Sequence, residues 1–287
     1  MQYPPSELVL NDKGKVYHLG LSPENISHKI ILVGDQDRVK LIATFFDSIE
    51  HSSQHREFAC STGMYRGKRI SVVSTGIGTD NIDITINELD ALVNIDLEKR
   101  ENKTTLTSLD LIRIGTCGIL QPEVPIHSYI LTTHAFGLDN VAHFYDIEHQ
   151  KSDVILNKKI NDYIQLPKEI VTYTTEASEE LFTKLSSDKT IEGITITSSG
   201  FYGPQGRNLR LNTKNDALGE RLTTFKDGSN RITNFEMESS ALFSLGKAMG
   251  HNCATICLGI ANRPTKDFSK DYGPSMLGLI EYVLERI

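Results

Sequence analysis

The chain has 287 residues, 39% hydrophobic and 23% charged, an ordinary globular composition with enough length to bury a substantial core. With 37 acidic against 30 basic side chains its formal net charge is −7, which argues against a general nucleic-acid binder and leaves any anionic ligand to be held by locally clustered arginines. No apolar run reaches membrane-span length, Met1 to Leu10 lacks the basic and apolar blocks of a signal peptide, and four cysteines (Cys60, Cys117, Cys253, Cys257) make neither a disulfide framework nor a zinc pattern, so a reduced, cytoplasmic protein without membrane or nucleic-acid partners is expected.

Short apolar runs alternate with helical patterns along the chain. Lys29 to Val33 reads as a buried strand and Val39 to Phe46 as a helix. Arg69 to Ser74 reads as a strand and Asn81 to Val93 as a helix. Asp96 to Ser108 is polar and charged around Lys99-Arg100-Glu101-Asn102-Lys103, which predicts a mobile surface insertion rather than a basic binding patch. Asp110 to Ile114 is a further strand, Gly193 to Thr197 a β-like run, Asn252 to Ile260 a late strand holding Cys253 and Cys257, and Met276 to Ile287 a closing helix. The alternation predicts an α/β fold with a central mixed sheet flanked by helices. Without an internal repeat or a Pro/Gly/Ser-rich linker, residues 1–287 are expected to form one domain carrying the insertion at about 96–108.

Five segments carry chemistry. Gly34-Asp35-Gln36-Asp37-Arg38 follows the first strand and opens a helix, where a glycine-exposed N–H and a helix N-terminus attract an anion; an ordinary strand-to-helix turn explains it equally well. Ser74-Thr75-Gly76-Ile77-Gly78 is a second glycine-rich turn and weak by itself. Arg113-Ile114-Gly115-Thr116-Cys117-Gly118 ends a strand with a guanidinium, a hydroxyl and glycine-exposed amides, and Arg113 sits in an apolar pattern where an unpaired charge is costly. Phe201-Tyr202-Gly203-Pro204-Gln205-Gly206-Arg207 combines an aromatic face, an amide and a planar fork of donors, suited to a small planar ligand such as uracil; read alone it favours a surface turn. Asn234-Phe235-Glu236-Met237-Glu238-Ser239 is expected to begin a helix with Asn234 as its N-cap, so that Glu236 and Glu238 point to opposite sides and only one of them, Glu238 by choice, bridges a sugar diol. His134, His143 and His149 show no metal-ligand pattern.

Taken in order, these segments resemble the uridine phosphorylases of the hexameric nucleoside phosphorylase family. The resemblance runs from about Tyr17 to the C-terminus and rests on Gly34-Asp35-x-Asp37-Arg38, His55-Arg56-Glu57-Phe58, Ser74-Thr75-Gly76-Ile77-Gly78, Arg113-Ile114-Gly115-Thr116, Phe201-Tyr202-x-x-Gln205-x-Arg207, Glu236-Met237-Glu238-Ser239 and Asn262-Arg263. It implies that phosphate, a co-substrate, meets Gly34, Arg38, Arg113 and Thr116, with Arg56 coming from a neighbouring subunit. Ribose would meet Thr116, Glu236, Met237 and Glu238, with the neighbour's His18 on the 5′ hydroxyl. The base would meet Cys117, Gly118, Phe201, Gln205, Arg207 and Arg263. Gln205, Arg207, Arg113 and Glu238 would carry catalysis without a required cofactor. The implied assembly is a homo-oligomer with sites shared across a dimer, commonly three dimers in a hexamer, with a potassium ion at the dimer interface held by Glu57, Ile70 and Ser74.

Two departures from the family pattern stand out: Gly203-Pro204 reverses the usual Pro-Gly order before Gln205, and Cys117 replaces a hydroxyl residue. Purine-specific relatives carry an Asp near the end of the last strand, where this chain has Asn262-Arg263, which favours pyrimidines over a purine nucleoside phosphorylase. A nucleosidase would not need the arginine set, and a catalytically silent nucleoside-binding protein would bind without releasing free base.

Overall fold

A computed structural model describes residues 2–214 and 217–287. In chain order it contains β1 (Lys29–Val33), α1 (Gln36–Ala43), β2 (Ser48–His55), β3 (Phe58–Tyr65), β4 (Lys68–Ser74) and α2 (Thr79–Asn94). A small ribbon, β5 (Ile95–Asp96) and β6 (Glu101–Asn102), leads to β7 (Asp110–Ile119) and β8 (Tyr129–Gly137). Then come α3 (Lys151–Ile164), β9 (Tyr173–Glu176), α4 (Glu179–Leu185), β10 (Thr190–Thr197), α5 (Leu218–Thr224), β11 (Lys226–Asp227) and β12 (Asn230–Glu236). The chain finishes with α6 (Ser239–Ala248), β13 (Asn252–Asn262), β14 (Asp267–Phe268) and α7 (Gly273–Arg286).

The central sheet runs β11-β12-β10-β8-β13-β7-β1-β4-β3-β2, with β9 on β8 and β14 on β13. It is mixed: β1 lies parallel to β4 and β7, while β13 is parallel to β7 and antiparallel to β8. One end curls until β12 also pairs with β7, through Asn234↔Ile119 and Phe235↔Gly118, so five strands close into a ring.

Period-2 alternation sorts the strands' side chains onto two faces. On one face Ile30 and Leu32 pack with Ile82, Ile86 and Leu89 of α2 and with Leu242 and Phe243 of α6. On the other, Ile31 and Val33 pack with Val39 and Ile42 of α1, Leu181 of α4 and Leu279 and Val283 of α7. A third core joins Leu156 and Ile160 of α3 and Leu222 of α5 to Phe136, Ile194 and Ile232. The expected α/β class with a central mixed sheet flanked by helices is the observed one.

Several readings need correction. Helix α1 begins at Gln36 because the Asp35 side chain caps it, accepting the Arg38 N–H at 2.9 Å, and it ends at Ala43 rather than Phe46. Strand β7 runs on from Ile114 to Ile119 because its glycine-rich half is paired with both β13 and β12. Arg56 and Glu57 close the hairpin between β2 and β3, with Arg56 at φ 55°. The charged 96–108 segment lies on the surface but is fastened: Arg100 donates to the carbonyls of Tyr3, at 2.9 Å, and Leu8, and its own carbonyl accepts the Tyr3 N–H at 2.7 Å. All four cysteines are free and buried, Cys253 and Cys257 in β13 as expected. No described helix is long and apolar enough to cross a membrane.

Candidate active site

Where the ring closes, the C-terminal ends of β7 and β12 and the turns after β1, β4 and β10 surround a cavity of about 280 Å³. Ligands in α/β proteins gather at such strand ends. Gly34 and Arg38 line its first wall, Arg113, Thr116, Cys117 and Gly118 its floor, Glu236, Met237 and Glu238 its second wall, and Phe201, Gln205 and Arg207 its third.

The floor is organised around Arg113, which is only 5% exposed. One guanidinium nitrogen bonds Glu238, and the other lies 3.5 Å from a Glu236 oxygen and 3.4 Å from the Cys257 sulfur. Burial by itself would lower the Arg113 pKa; the carboxylates of Glu238 and Glu236 outweigh it and raise it, fixing the charge. Gly115 makes room for this group, since a Cβ there would sit 1.9 Å from Arg113 Nη1.

Glu236 and Glu238 do not lie on a helix. Glu236 is the last residue of β12 and Glu238 the residue before α6, and i and i+2 along an extended chain face the same side. Both carboxylates therefore reach Arg113, and the expected division between them fails. Glu236 also does the capping assigned to Asn234: its carboxylate accepts the N–H groups of Glu238 (2.9 Å) and Ser239 (3.0 Å) and the Thr197 hydroxyl (2.5 Å). Burial raises the Glu236 pKa, partly opposed by Arg113. Glu238 accepts the Gly78 N–H at 2.7 Å, and Gly78, at φ 96°, adopts a conformation that glycine tolerates.

The third wall is a tight turn. The N–H groups of Gln205 and Arg207 both donate to the Tyr202 carbonyl, at 3.1 and 2.9 Å, and Pro204 is the middle residue of a short 3-10 turn, Gly203–Gln205. The Arg207 guanidinium lies 3.8 Å from the Phe201 ring centre and donates to the Phe201 carbonyl and the Gln205 side-chain oxygen, both at 2.5 Å. Gln205 is buried. Aromatic, amide and guanidinium are thus held as one unit. Burial first, then the charge of Arg263, pushes the Arg207 pKa down to about 10, so it stays cationic at neutral pH. Arg263 lies beside the cavity rather than in its lining: its side chain packs against Gly118 and lines an adjoining cavity together with Gln205. Its Nη1 is buried without a hydrogen-bond partner among the described residues.

Arg38 is shared between Asp35, at 3.1 Å, and the Ile114 carbonyl, at 3.4 Å. Asp35 was not singled out as a site residue, although its place as N-cap in the Gly34–Arg38 motif carried the signal. Ile77 and Phe268, 71% and 69% exposed, also line the cavity; Ile77 belongs to the glycine-rich Ser74–Gly78 turn, whereas nothing in the sequence marks Phe268. Cys117 is 4% exposed, and burial, with Cys257 beside it, raises its pKa well above the usual thiol value, so it offers a neutral wall rather than a nucleophile.

His18 and Arg56 do not line the cavity. They lie together elsewhere: His18 Nδ1 is 2.7 Å from Glu88, its carbonyl is 2.8 Å from His55 Nδ1, and Arg56 stands 5.6 Å from the Tyr17 ring centre. Nor do Glu57, Ile70 and Ser74: the Ser74 hydroxyl donates to the Glu57 carbonyl at 2.6 Å, and Ile70 is buried in β4.

The model of the Phosphorylase superfamily matches residues 28–276. The chain is 29% identical over 269 residues to the uridine phosphorylase of Thermococcus kodakarensis, covering 94% of this chain and 85% of that relative. It is 28% identical over 248 residues to the DeoD-type purine nucleoside phosphorylase of Caldanaerobacter subterraneus, covering 83% of this chain and 84% of that relative. Among solved structures it is similar to a Trypanosoma brucei nucleoside phosphorylase described as showing uridine phosphorylase activity, with a TM-score of 0.89 and 29% identity over 98% of this chain and 99% of that one. With the family model spanning most of its length and this strand-end cavity at its centre, the chain belongs to the phosphorylase superfamily.

Proposed function

We propose that this chain catalyses the reversible phosphorolysis of uridine, giving uracil and ribose 1-phosphate, as a pentosyltransferase of the phosphorylase superfamily. The observation that carries the reading is the Phe201–Gln205–Arg207 unit facing the buried Arg113–Glu238 pair across one small cavity. Amide plus guanidinium matches the carbonyl and imide edge of uracil, and Asn262-Arg263 stands where purine-specific relatives carry an Asp. The uridine phosphorylases among the similar proteins support this choice over the purine alternative.

On this reading phosphate binds against the Gly34 N–H, Arg38, Arg113 and Thr116, and uridine lies over it. The C1′–N1 bond lengthens, positive charge develops on the ribose and negative charge moves onto uracil. The phosphate dianion stabilises the first, Gln205 and Arg207 the second, and a phosphate oxygen then bonds C1′. No covalent enzyme intermediate is needed: the work is proximity and preorganised charge. A guanidinium has five donors, so Arg113 can serve phosphate and a carboxylate together. Glu238 can turn an oxygen to the ribose diol by giving up the Gly78 N–H, beside Met237 and with Glu236 fixing the wall behind it.

His18 and Arg56 reach a site only if a second copy supplies them, so the catalytic unit is a dimer at minimum and a hexamer on the family pattern. A potassium ion between subunits belongs to the same proposal. Glu57, the Ile70 carbonyl and Ser74 all offer oxygen, a hard donor suited to such an ion. The compartment proposed is the cytoplasm.

A nucleoside panel assayed with and without phosphate, reading free base and sugar phosphate, tests the reading. Uridine turnover that requires phosphate is expected. Turnover equally fast without phosphate, or a preference for inosine over uridine, would overturn it, and binding with no release of base would point to a silent nucleoside-binding protein.

A further inference from the structure

Away from the cavity, His134, Asp153 and Glu176 bring one ring nitrogen and two carboxylate oxygens within 4.8 Å of one another. The sheet itself builds this cluster: His134 on β8 and Glu176 on β9 are directly paired in antiparallel register, and Asp153 enters from the first turn of α3. None of the three lines the active-site cavity.

Ordinary pairing accounts for it only in part: the Glu176 N–H donates to Asp153 Oδ2 at 3.4 Å. The closest His134–Asp153 approach is 4.0 Å, beyond hydrogen-bonding distance. The Asp153 side chain is 2% exposed, and its Oδ1 has no hydrogen-bond partner among the described residues. His134 Nδ1 is likewise buried and unpartnered. The unpartnered Asp153 oxygen is also the one nearest His134, 4.0 Å from its other ring nitrogen, Nε2, and a buried unsatisfied carboxylate oxygen is costly unless something is meant to lie beside it. Lys247, which donates to the Glu176 carbonyl at 2.9 Å, is a nearby cation and is outnumbered by the two carboxylates.

We propose that His134, Asp153 and Glu176 form a binding site for a divalent transition-metal ion of the zinc class, clipping α3 to the β8–β9 pair. One nitrogen and two oxygen ligands match zinc chemistry, with water completing a tetrahedral set. Metal–ligand distances of about 2.0–2.2 Å would place the ligand atoms about 3.4 Å apart, so small side-chain rotations close the site.

The test is calorimetric titration of the chelator-treated full chain with zinc chloride, together with its melting temperature. One zinc ion per chain is expected, with a raised melting temperature. His134→Ala and Asp153→Asn should each weaken binding by about a hundredfold, and Glu176→Gln by at least about tenfold. Glu176 is exposed, so its variant is the one least able to disturb folding, and unchanged circular dichroism checks this. No saturable binding by the parent chain would overturn the proposal, as would binding as tight as the parent's in both Glu176→Gln and His134→Ala, because the zinc would then lie elsewhere.

Discussion

Two arginines of the candidate site answer to different demands, and substitution separates them. Arg207 is half-buried, bonds a carbonyl and an amide rather than a carboxylate, and faces the proposed leaving group. Arg207→Ala should cost about 2–4 kcal/mol of transition-state stabilisation, read as kcat/KM for uridine, with little change in melting temperature. Near-normal turnover would remove Arg207 from the base site. Arg113 is locked between two buried carboxylates. Arg113→Ala leaves both uncompensated and should destabilise the fold by about 3–5 kcal/mol, besides abolishing phosphate-dependent turnover. A urea transition at the parent midpoint would show that the pair carries no such weight.

Among the elements, Glu236 does a helix's work from a strand. It accepts two backbone N–H groups at the start of α6 and also fixes Thr197 of β10. Glu236→Gln weakens charge-assisted capping and should cost about 1–2 kcal/mol in denaturant titration, with a smaller effect refuting the capping role. Asn followed by acidic residues is an N-cap signature, and β12 has only two apolar residues, Ile232 and Phe235, three apart, so no strand alternation opposes that reading. Strand β1 was legible to the residue because Ile30 to Val33 is a continuous apolar run, and these four residues are buried. Strand β7 runs past the expected end at Ile114, through Gly115, whose lack of a side chain leaves space for Arg113. Strand β2 was invisible: Ser48–His55 is a polar edge without an apolar face. The segments that meet at the cavity were legible as candidates because each is a short contiguous motif. The clustering of His134, Asp153 and Glu176 was not, since it depends on a β8–β9 register that spacing does not reveal.

At the scale of the whole molecule, the proposed shared site makes a prediction independent of any single residue's energy. Arg207 lies in the cavity and Arg56 does not. Arg56→Ala and Arg207→Ala chains, each nearly inactive alone, should regain roughly a quarter of parental activity when unfolded and refolded together, because half the resulting dimers carry one intact site of two. No recovery would place both arginines in one subunit's site. Arg56 also sits on the turn that follows β2, and β2 is the open edge of a sheet that closes on itself at its far end. An open edge offers unpaired backbone groups to any passing strand and is a standing aggregation hazard. If the contact that brings Arg56 to a neighbour also covers this edge, then the enzyme becomes active and colloidally safe in one step. Dilute, unassembled chains would then be idle catalysts and also the ones most prone to clump.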